Sequence, residues 1–369
     1  MSLTLTNYWW LLIWLFLGGA IFQNMPKRRE RLGGETVARW QPLYAIAMVL
    51  PYILWTGFRH NYFGDTALYR RLYLELEPTL GHLFSLFSGE EKDPGFTAFS
   101  ILLKSIIGNA DKLFFLIIGT FQLVGVTLIF RRYSDHFWTT FFLFVVSTDY
   151  LSWTHNGMRQ FIAVVIIFVG FKYLISKRYI PMILLILLAS SFHGSALLML
   201  PIIFVVRGRA WNRKTVIMLA LTMVVIAFID QFTPILDALL QETQYDGTIN
   251  NEIWSVDDGT NIMRVFVYSI PALMALFGLK HVRAANNPIM NVCINCSIVT
   301  MALYLVASVS SGIYIGRLPI YTTLYGYIAL PWMIDIIFER RSAQLIRYIM
   351  YGAYLAFFYF QLHFAWGVI

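Results

Sequence analysis

Apolar runs of about 17–22 residues recur along nearly the whole chain, and basic residues separate many of them. A run of that length crosses a hydrocarbon core about 30 Å thick as one α-helix. With 58% hydrophobic and 13% charged residues, the chain carries more apolar surface than a soluble domain could bury. Strands of a membrane barrel would be shorter and would alternate in polarity. We therefore expect an all-α, polytopic membrane protein.

About 12 membrane segments are predicted from these runs, within a single transmembrane domain that covers residues 1–369. No small-residue cleavage site follows the first apolar run, so we expect that run to be retained as a span. The predicted segments lie at residues 4–23, 40–58, 111–130, 136–151, 158–175, 180–192, 194–206, 215–230, 262–280, 288–307, 317–338 and 345–366.

Lysine and arginine cluster in alternate connections, and this sets the expected orientation. The first connection carries Lys27, Arg28, Arg29, Arg31 and Arg39. The connections after the third, fifth, seventh, ninth and eleventh segments are basic as well, and connections rich in Lys and Arg stay in the cytoplasm. Both termini are therefore expected outside. The net charge of +8 then reflects orientation rather than nucleic-acid binding.

Two segments differ from ordinary spans. Residues 95–107 (GFTAFSILLKSII) are too short to cross, and their apolar and polar residues separate onto opposite helix faces. This predicts an amphipathic helix at the outer surface. Residues 179–206 have basic residues on both flanks, so a single crossing would break the charge rule. A broken or re-entrant pair of half-length helices around His193 satisfies the rule and places this histidine in a polar cavity within the membrane.

Two long connections are expected on the outer side, an outer loop with amphipathic helices at residues 59–110 and a polar loop at residues 231–261. The first contains an acidic stretch with Glu90, Glu91 and Asp93, and the second is acidic and polar throughout. Loops of this length commonly act as lids or binding loops, although a merely solvated loop also fits.

Arg59, His60 and Asp65 follow the second predicted span. A single arginine at a helix end is commonly an interfacial anchor. His60 suits either an interfacial aromatic residue or a proton carrier. Asp65 precedes a helical run, so it suits a helix N-cap as well as a catalytic carboxylate.

Arg159 and Arg317 begin the fifth and eleventh predicted spans, on the side where the charge rule favours no cation. Each alone suits a snorkelling anchor. Arg159 follows a connection that contains His155, and its fork of donors matches phosphate oxygens. Together with a membrane-buried His193, two such arginines favour a site for an anionic ligand.

Several common enzyme motifs are missing from the sequence. It has no GxxxxGK[ST] loop, no GxGxxG after a strand and no HExxH. No acidic pair is placed to clamp a metal-bound nucleotide sugar. Cys293 and Cys296 are interpreted as small apolar residues of a membrane helix rather than as a redox pair. We therefore expect neither ATP hydrolysis nor a metal or other cofactor.

Five short pieces of the chain follow one another in an order typical of a known family. Residues 59–69 (RHNYFGDTALY) match an arginine, then Gly-Asp, then tyrosine. Residues 93–96 match an acidic-x-Gly-Phe element, with aspartate where glutamate is usual. Residues 159–163, 192–197 and 317–318 match Arg-Gln-x-x-Ala, Phe-His-x-Ser-x-Leu and Arg-Leu elements. In these pieces the chain resembles the EpsG-like family of bacterial polysaccharide polymerases, which belong with the Wzy-type polymerases.

The resemblance implies extracytoplasmic glycosyl transfer in the bacterial plasma membrane. Repeat units carried on undecaprenyl diphosphate would be joined into exopolysaccharide, capsule or O-antigen by a metal-independent protein of GT-C-like architecture. Arg59, Arg159 and Arg317 would bind the diphosphate, with orientation of the base as the alternative role of Arg59. Arg159 and Arg317 would also stabilise the charge that develops on the leaving group. His193, or in second place Asp65, would take the proton from the acceptor hydroxyl. The secondary candidates are His60, Asp93 and His155.

The resemblance also implies partners: the lipid-linked oligosaccharide, the growing polysaccharide chain, membrane lipid, and a flippase and a chain-length regulator, with no nucleic acid. Two other function classes remain open. A flippase of lipid-linked sugars would show repeats between its halves, and none is visible in the sequence. A membrane O-acyltransferase would connect its histidine to the cytoplasm, whereas the candidate residues here are expected on the opposite side.

Overall fold

The structure is a computed structural model that describes residues 5–61, 64–83, 85–88, 91–148, 153–229, 260–310 and 315–365. These residues are nearly all helical. The helices are α1 (Leu5–Gln23), α2 (Pro42–Gly57), α3 (Thr66–Glu75), α4 (Pro94–Ile107), α5 (Asp111–Tyr133), α6 (Phe137–Val146), α7 (Met158–Val169), α8 (Phe171–Ile175), α9 (Tyr179–Phe192), α10 (Met199–Val205), α11 (Arg213–Ala227), α12 (Ile262–Phe277), α13 (Leu279–Ala285), α14 (Pro288–Ala307), α15 (Ile320–Ile337) and α16 (Arg340–Phe360).

Three helices of the described chain, α5, α14 and α15, are long and apolar enough to cross a membrane. A fourth span results if α12 and α13, which meet at a bend of 75°, are counted as one. Shorter apolar helices of 10–17 residues accompany them. These helices are consistent with a multi-pass membrane protein, but the predicted number of about 12 segments is not confirmed.

Part of the second outer connection is not described. Residues 230–259 lie outside the described residues, as does Glu90 in the first connection. The polar loop at residues 231–261 therefore stays a prediction.

The all-α expectation has an exception in the first basic connection. Strands β1 (Arg28–Leu32) and β2 (Glu35–Arg39) pair antiparallel as a hairpin. Gly33 and Gly34 form its two-residue loop with φ of +60° and +93°. Two consecutive residues with positive φ match the right-handed twist of the strands, and glycine adopts them without a Cβ clash. The Gly-Gly pair was the sequence signal for this hairpin.

The described residues form two compact units. Unit 1 comprises residues 1–171, 191–193 and 340–369, and unit 2 comprises residues 172–190 and 194–339. The expectation of a single membrane domain stays a prediction.

Helices α2 and α5 pack closely within unit 1 and run antiparallel. Near one end, a Cβ added to Gly57 would lie 3.0 Å from the Cα of Leu116. At the other end, Nε of Arg39 donates a hydrogen bond to the carbonyl of Arg132 at 3.0 Å. Arg59 follows the C-terminus of α2, so it lies at the opposite end of this helix pair from the basic hairpin.

Helices α6 and α7 are short, and most residues of each are buried in unit 1. They have 10 and 12 residues, about 15 and 18 Å, where spans were predicted at residues 136–151 and 158–175. In the segment between them, Thr154 and His155 are fully buried. Nε2 of Gln122 donates to the carbonyl of Met158 at 3.0 Å. Helix α7 therefore begins beside the middle of α5, about 16 Å from the N-terminal end of that helix.

In unit 2, α14 is mostly buried and packs against α11, α12 and α15. The Asn295 amide nitrogen donates to the carbonyl of Val206 at 2.9 Å, and its oxygen accepts from the backbone amide of Trp211 at 3.1 Å. Cys293 and Cys296, also on α14, are free and fully buried.

The chain breaks at His193, where the sequence predicts a break. Helix α9 ends at Phe192, and a 3-10 helix (Gly194–Leu198) leads into α10. The re-entrant path of these two half-length helices stays a prediction.

Candidate functional site

An ion pair between Arg159 and Asp93 joins two of the sequence elements that carry the resemblance. Nη1 of Arg159, at the start of α7, lies 2.6 Å from Oδ2 of Asp93, which directly precedes α4. The Asp93 side chain is 1% exposed, whereas the Arg159 side chain is 36% exposed. A buried carboxylate therefore holds a guanidinium that is itself partly exposed.

Aromatic rings flank this guanidinium. Its central carbon lies 6.0 Å from the ring centre of Tyr69 and 5.9 Å from that of Phe96. Burial raises the pKa of the Tyr69 hydroxyl, although the charge of Arg159 acts in the opposite direction. Tyr69 therefore keeps its proton at neutral pH and can donate a hydrogen bond. It is the tyrosine of the Gly-Asp element.

A cavity of about 260 Å³, here called the arginine pocket, opens beside Arg159. Aromatic rings form much of its wall, and on its rim Oγ1 of Thr97 donates to a carboxylate oxygen of Glu91 at 2.7 Å. Leu72, also on the rim, is 49% exposed. The pocket is lined by Tyr69, Leu72, Tyr73, Leu76, Glu91, Phe96, Thr97, Ser100, Phe114 and Arg159.

Helix α4, one wall of the arginine pocket, has its polar face turned inward. Ser100 and Lys104 are buried, whereas Leu102 and Ile106 are 48% and 72% exposed. The Lys104 ammonium donates to the carbonyls of Tyr73 at 2.9 Å and Leu74 at 2.6 Å. The amphipathic pattern was visible in the sequence. The packing of its polar face against the C-terminus of α3 was not.

Arg59 lies deep in unit 1 and is only 3% exposed. Its Nε donates to the carbonyl of Thr56 at 2.9 Å, and its Nη1 donates to that of Thr154 at 2.7 Å. The guanidinium lies 4.2 Å from the ring centre of Phe115. Burial lowers the pKa of Arg59 to about 9, which leaves it cationic at neutral pH. Arg59, which was expected to bind the diphosphate, thus donates a hydrogen bond to the segment that leads into Arg159.

His155 is enclosed in the same segment. It is fully buried, its Nδ1 lies 2.8 Å from Oγ1 of Thr154, and its ring centre lies 4.6 Å from that of Trp55. His60, next to Arg59, is half-buried.

Asp65 stands at the N-cap position of α3, as the sequence suggests, and is half-buried. Its side chain makes no capping hydrogen bond within the described chain. The preceding Gly64 has a φ of +55°, and a Cβ there would lie 3.1 Å from Cβ of Asn156. The Gly-Asp element therefore packs directly on the segment before Arg159.

His193 lies in the helix break and is 7% exposed. This break packs against the start of α4: a Cβ on Gly95 would lie 2.9 Å from the carbonyl carbon of Ser191. The rings of Phe99 and Phe192 are 6.2 Å apart. Only glycine fits at position 95, which explains the glycine of the acidic-x-Gly-Phe element.

Unit 1 therefore brings together the sequence elements around Asp65, Asp93, Arg159 and His193. Arg317 lies in unit 2, half-buried on a 3-10 turn (Ile315–Arg317) before α15. Its convergence with Arg159 stays a prediction. Sequence reasoning ranked Asp93 as a secondary candidate, and the acidic-x-Gly-Phe element was the signal that could have ranked it higher.

Apolar helices consistent with a multi-pass membrane protein, together with a pocket lined by an arginine, suit a membrane enzyme that acts on an anionic substrate. A model of the EpsG family matches residues 43–366 of the 369-residue chain, and the chain belongs to that family. The known role of the family is Wzy-type polymerisation, so membership indicates a polysaccharide polymerase. No curated protein matches the chain. No solved structure matches it either.

Proposed function

We propose that this protein polymerises lipid-diphosphate-linked oligosaccharide repeat units on the extracytoplasmic face of the bacterial plasma membrane. The observation that supports this best is Arg159, held by the buried Asp93 at the edge of the arginine pocket. A partly exposed guanidinium that is held by a buried carboxylate has a fixed orientation, and its planar set of N–H donors suits diphosphate oxygens. Undecaprenyl diphosphate is the proposed carrier.

In the proposed reaction an acceptor hydroxyl oxygen attacks the anomeric carbon of the donor repeat unit. The bond from that carbon to the diphosphate oxygen breaks, and the lipid diphosphate leaves with the electron pair. Arg159 stabilises the charge that develops on this oxygen, with Arg317 as a second proposed cation. The acceptor proton passes to a base, for which we propose His193 first and Asp65 second.

Arg59 and His155 have a different part in this proposal. Both are buried and bonded to the segment that precedes Arg159, so we assign them to positioning it rather than to touching the substrate. His60, next to Arg59 in the sequence, stays a candidate proton carrier.

The extracytoplasmic placement rests on charge. The basic hairpin lies at one end of the α2–α5 pair and Arg59 at the other. Because basic connections stay in the cytoplasm, the arginine pocket faces outward and both termini lie outside. Substrate arriving from a flippase, and product handed to a chain-length regulator, fit this side. A GT-C-like architecture and the polymer class, whether exopolysaccharide, capsule or O-antigen, belong to the same proposal.

The test uses the purified full chain in lipid nanodiscs with a panel of undecaprenyl-diphosphate oligosaccharides, read as ladders on a gel. We expect a ladder from the wild type, and unit-length oligosaccharide alone from Arg159→Ala and His193→Ala. The matched control is Arg341→Ala, which removes an exposed arginine of α16 and should leave the ladder unchanged. A normal ladder from both site variants would contradict the proposal.

A further inference from the structure

A second and larger cavity of about 580 Å³ lies in unit 1 beside the basic hairpin, and none of the proposed chemistry uses it. Its walls come from the C-terminal end of α1, the N-terminal ends of α2 and α6, and α16. We call it the basic cavity. Since α2 begins here and Arg59 follows the far end of that helix, the basic cavity and the arginine pocket belong to opposite ends of the α2–α5 pair.

The charge of the basic cavity is positive. Lys27 and Arg347 line it, and Asp135 is the carboxylate among its lining residues. Asp135 is already paired, because Nη2 of Arg39 lies 2.8 Å from its Oδ1 and the Arg39 side chain is 6% exposed. Three cations against one carboxylate leave a balance of +2 around the cavity, which favours an anionic ligand.

Two of the aromatic side chains that line the cavity are held by hydrogen bonds. Nε1 of Trp138 donates to the carbonyl of Leu15 at 3.0 Å, and the Tyr351 hydroxyl lies 2.8 Å from Oγ1 of Thr139. The Trp138 and Tyr351 rings are 5.4 Å apart and edge-to-face. Tryptophan and tyrosine each combine an apolar ring with a polar group that forms hydrogen bonds. Such residues are typical of the boundary between lipid headgroups and hydrocarbon.

Apolar residues continue from the cavity mouth onto the outer surface of unit 1. Phe16 and Tyr348 line the cavity and are 44% and 68% exposed, and Leu345 and Ile349 on α16 are each 61% exposed. The basic cavity therefore combines cations with exposed apolar surface. A soluble anion would gain nothing from this exposed apolar surface.

We infer that the basic cavity binds the phosphate headgroup of an anionic phospholipid from the leaflet on the basic side of the membrane. Lys27 and Arg347 bind the phosphate, the amides of Gln23 and Gln344 reach headgroup hydroxyls, and the acyl chains run over Phe16 and Tyr348. Basic pockets between helices on the cytoplasmic side are a general means of binding anionic lipid headgroups. The inference does not depend on the proposed polymerase reaction.

The test is native mass spectrometry of the full chain in neutral detergent, with phosphatidylglycerol, phosphatidylcholine or glycerol 3-phosphate added. We expect retained phosphatidylglycerol, little phosphatidylcholine and no displacement by glycerol 3-phosphate. In the double variant Lys27→Gln/Arg347→Gln, the affinity for phosphatidylglycerol should fall about 10- to 30-fold, the effect of removing two cations near a lipid surface.

Two matched variants separate a specific site from general attraction. Arg213→Gln/Lys280→Gln removes the same charge from exposed positions of unit 2 and should leave binding unchanged. Lys27→Arg/Arg347→Lys keeps the charge and should retain the lipid. Equal binding of phosphatidylcholine, an equal loss in the unit 2 variant, or displacement by glycerol 3-phosphate would each overturn the lipid site.

A second measurement keeps Lys27 and Arg347 in place, so it tests the lipid site even if the variant Lys27→Gln/Arg347→Gln does not fold. Phosphatidylglycerol with brominated acyl chains should quench tryptophan fluorescence more strongly in the wild type than in Trp138→Phe, because Trp138 lines the cavity. Trp211→Phe in unit 2 is the control and should leave the quenched fraction unchanged. Equal quenching in the wild type and in Trp138→Phe would remove the proposal.

Discussion

At the scale of single residues, two arginines of the site differ in burial and in hydrogen-bond partners. Arg59 is 3% exposed and bonded to backbone carbonyls, whereas Arg159 is 36% exposed and paired with one buried carboxylate. A cation that satisfies its donors inside the protein has little left for a ligand. A partly exposed cation that is held by a buried carboxylate has its direction set in advance.

We expect Asp93→Asn to slow polymerisation about 10- to 100-fold with a smaller change in KM, because a neutral amide holds the Arg159 guanidinium less firmly. The measurement is the initial rate of ladder formation at varied donor concentration. Glu91→Gln is the matched control: it removes an exposed carboxylate from the rim of the same pocket and should keep most of the rate. Similar rates for wild type and Asp93→Asn would show that the ion pair is not needed.

The same ion pair makes a prediction about stability. Arg159→Ala leaves the buried Asp93 carboxylate without this ion pair and should lower the free energy of unfolding by about 1–3 kcal/mol. Asp93→Asn/Arg159→Ala should recover most of that loss without recovering any activity. Thermal unfolding in detergent measures both changes, and a double variant no more stable than Arg159→Ala would contradict this account.

At the scale of elements, the site depends on how closely α4 approaches the helix break. The approach is set at Gly95, where the carbonyl carbon of Ser191 leaves no room for a side chain. Two residues later in the break stands His193, the proposed base. Helix α4, which Asp93 directly precedes, thus links the ion pair to the proposed base.

We expect Gly95→Ala to abolish most polymerisation, because a Cβ would meet the Ser191 backbone at 2.9 Å and push the break away from α4. Gly194→Ala is the matched control. It lies beside His193, but no described atom comes within 4 Å of a Cβ built there. Gel ladders from both variants, at equal protein levels in the membrane, measure the difference. Equal activity of the two would show that the approach of α4 is unimportant.

Sequence patterns predict elements here better than they predict contacts. The apolar run at residues 288–307 coincides with α14, and the expected break falls at His193. Helix lengths around His155 could not be predicted, because an apolar run does not show where a buried polar segment interrupts it. The pair of Arg159 with Asp93 could not be predicted either: these residues are far apart in sequence, and only the folded chain brings them together. The division of α4 into an apolar and a polar face was visible as a pattern, but its partner α3 was not.

At the scale of the whole molecule, the two ends of the α2–α5 pair carry different groups of charged residues. Basic residues of the hairpin and Arg131 lie at one end, and Arg59 lies at the other, where it is bonded to the segment that precedes Arg159. From this polarity the charge rule predicts that the basic end faces the cytoplasm.

We expect Glu91→Cys to react with a membrane-impermeant maleimide in intact cells, and Arg28→Cys to react only after permeabilisation. Both positions are exposed, and the native cysteines Cys293 and Cys296 are fully buried, so background labelling should be low. Mass tagging on a gel reads the result. The reverse pattern would place the arginine pocket in the cytoplasm and end the proposed mechanism.

The exposed Leu72 on the rim of the arginine pocket has a kinetic consequence. If a polyprenyl carrier enters there, its tail stays among the lipid acyl chains through the whole turnover, and no energy is needed to extract it. The enzyme then samples its donor by two-dimensional diffusion. Half-saturation is set by how many carriers occupy each square nanometre of bilayer, and diluting the vesicles at constant lipid composition leaves the rate per enzyme unchanged.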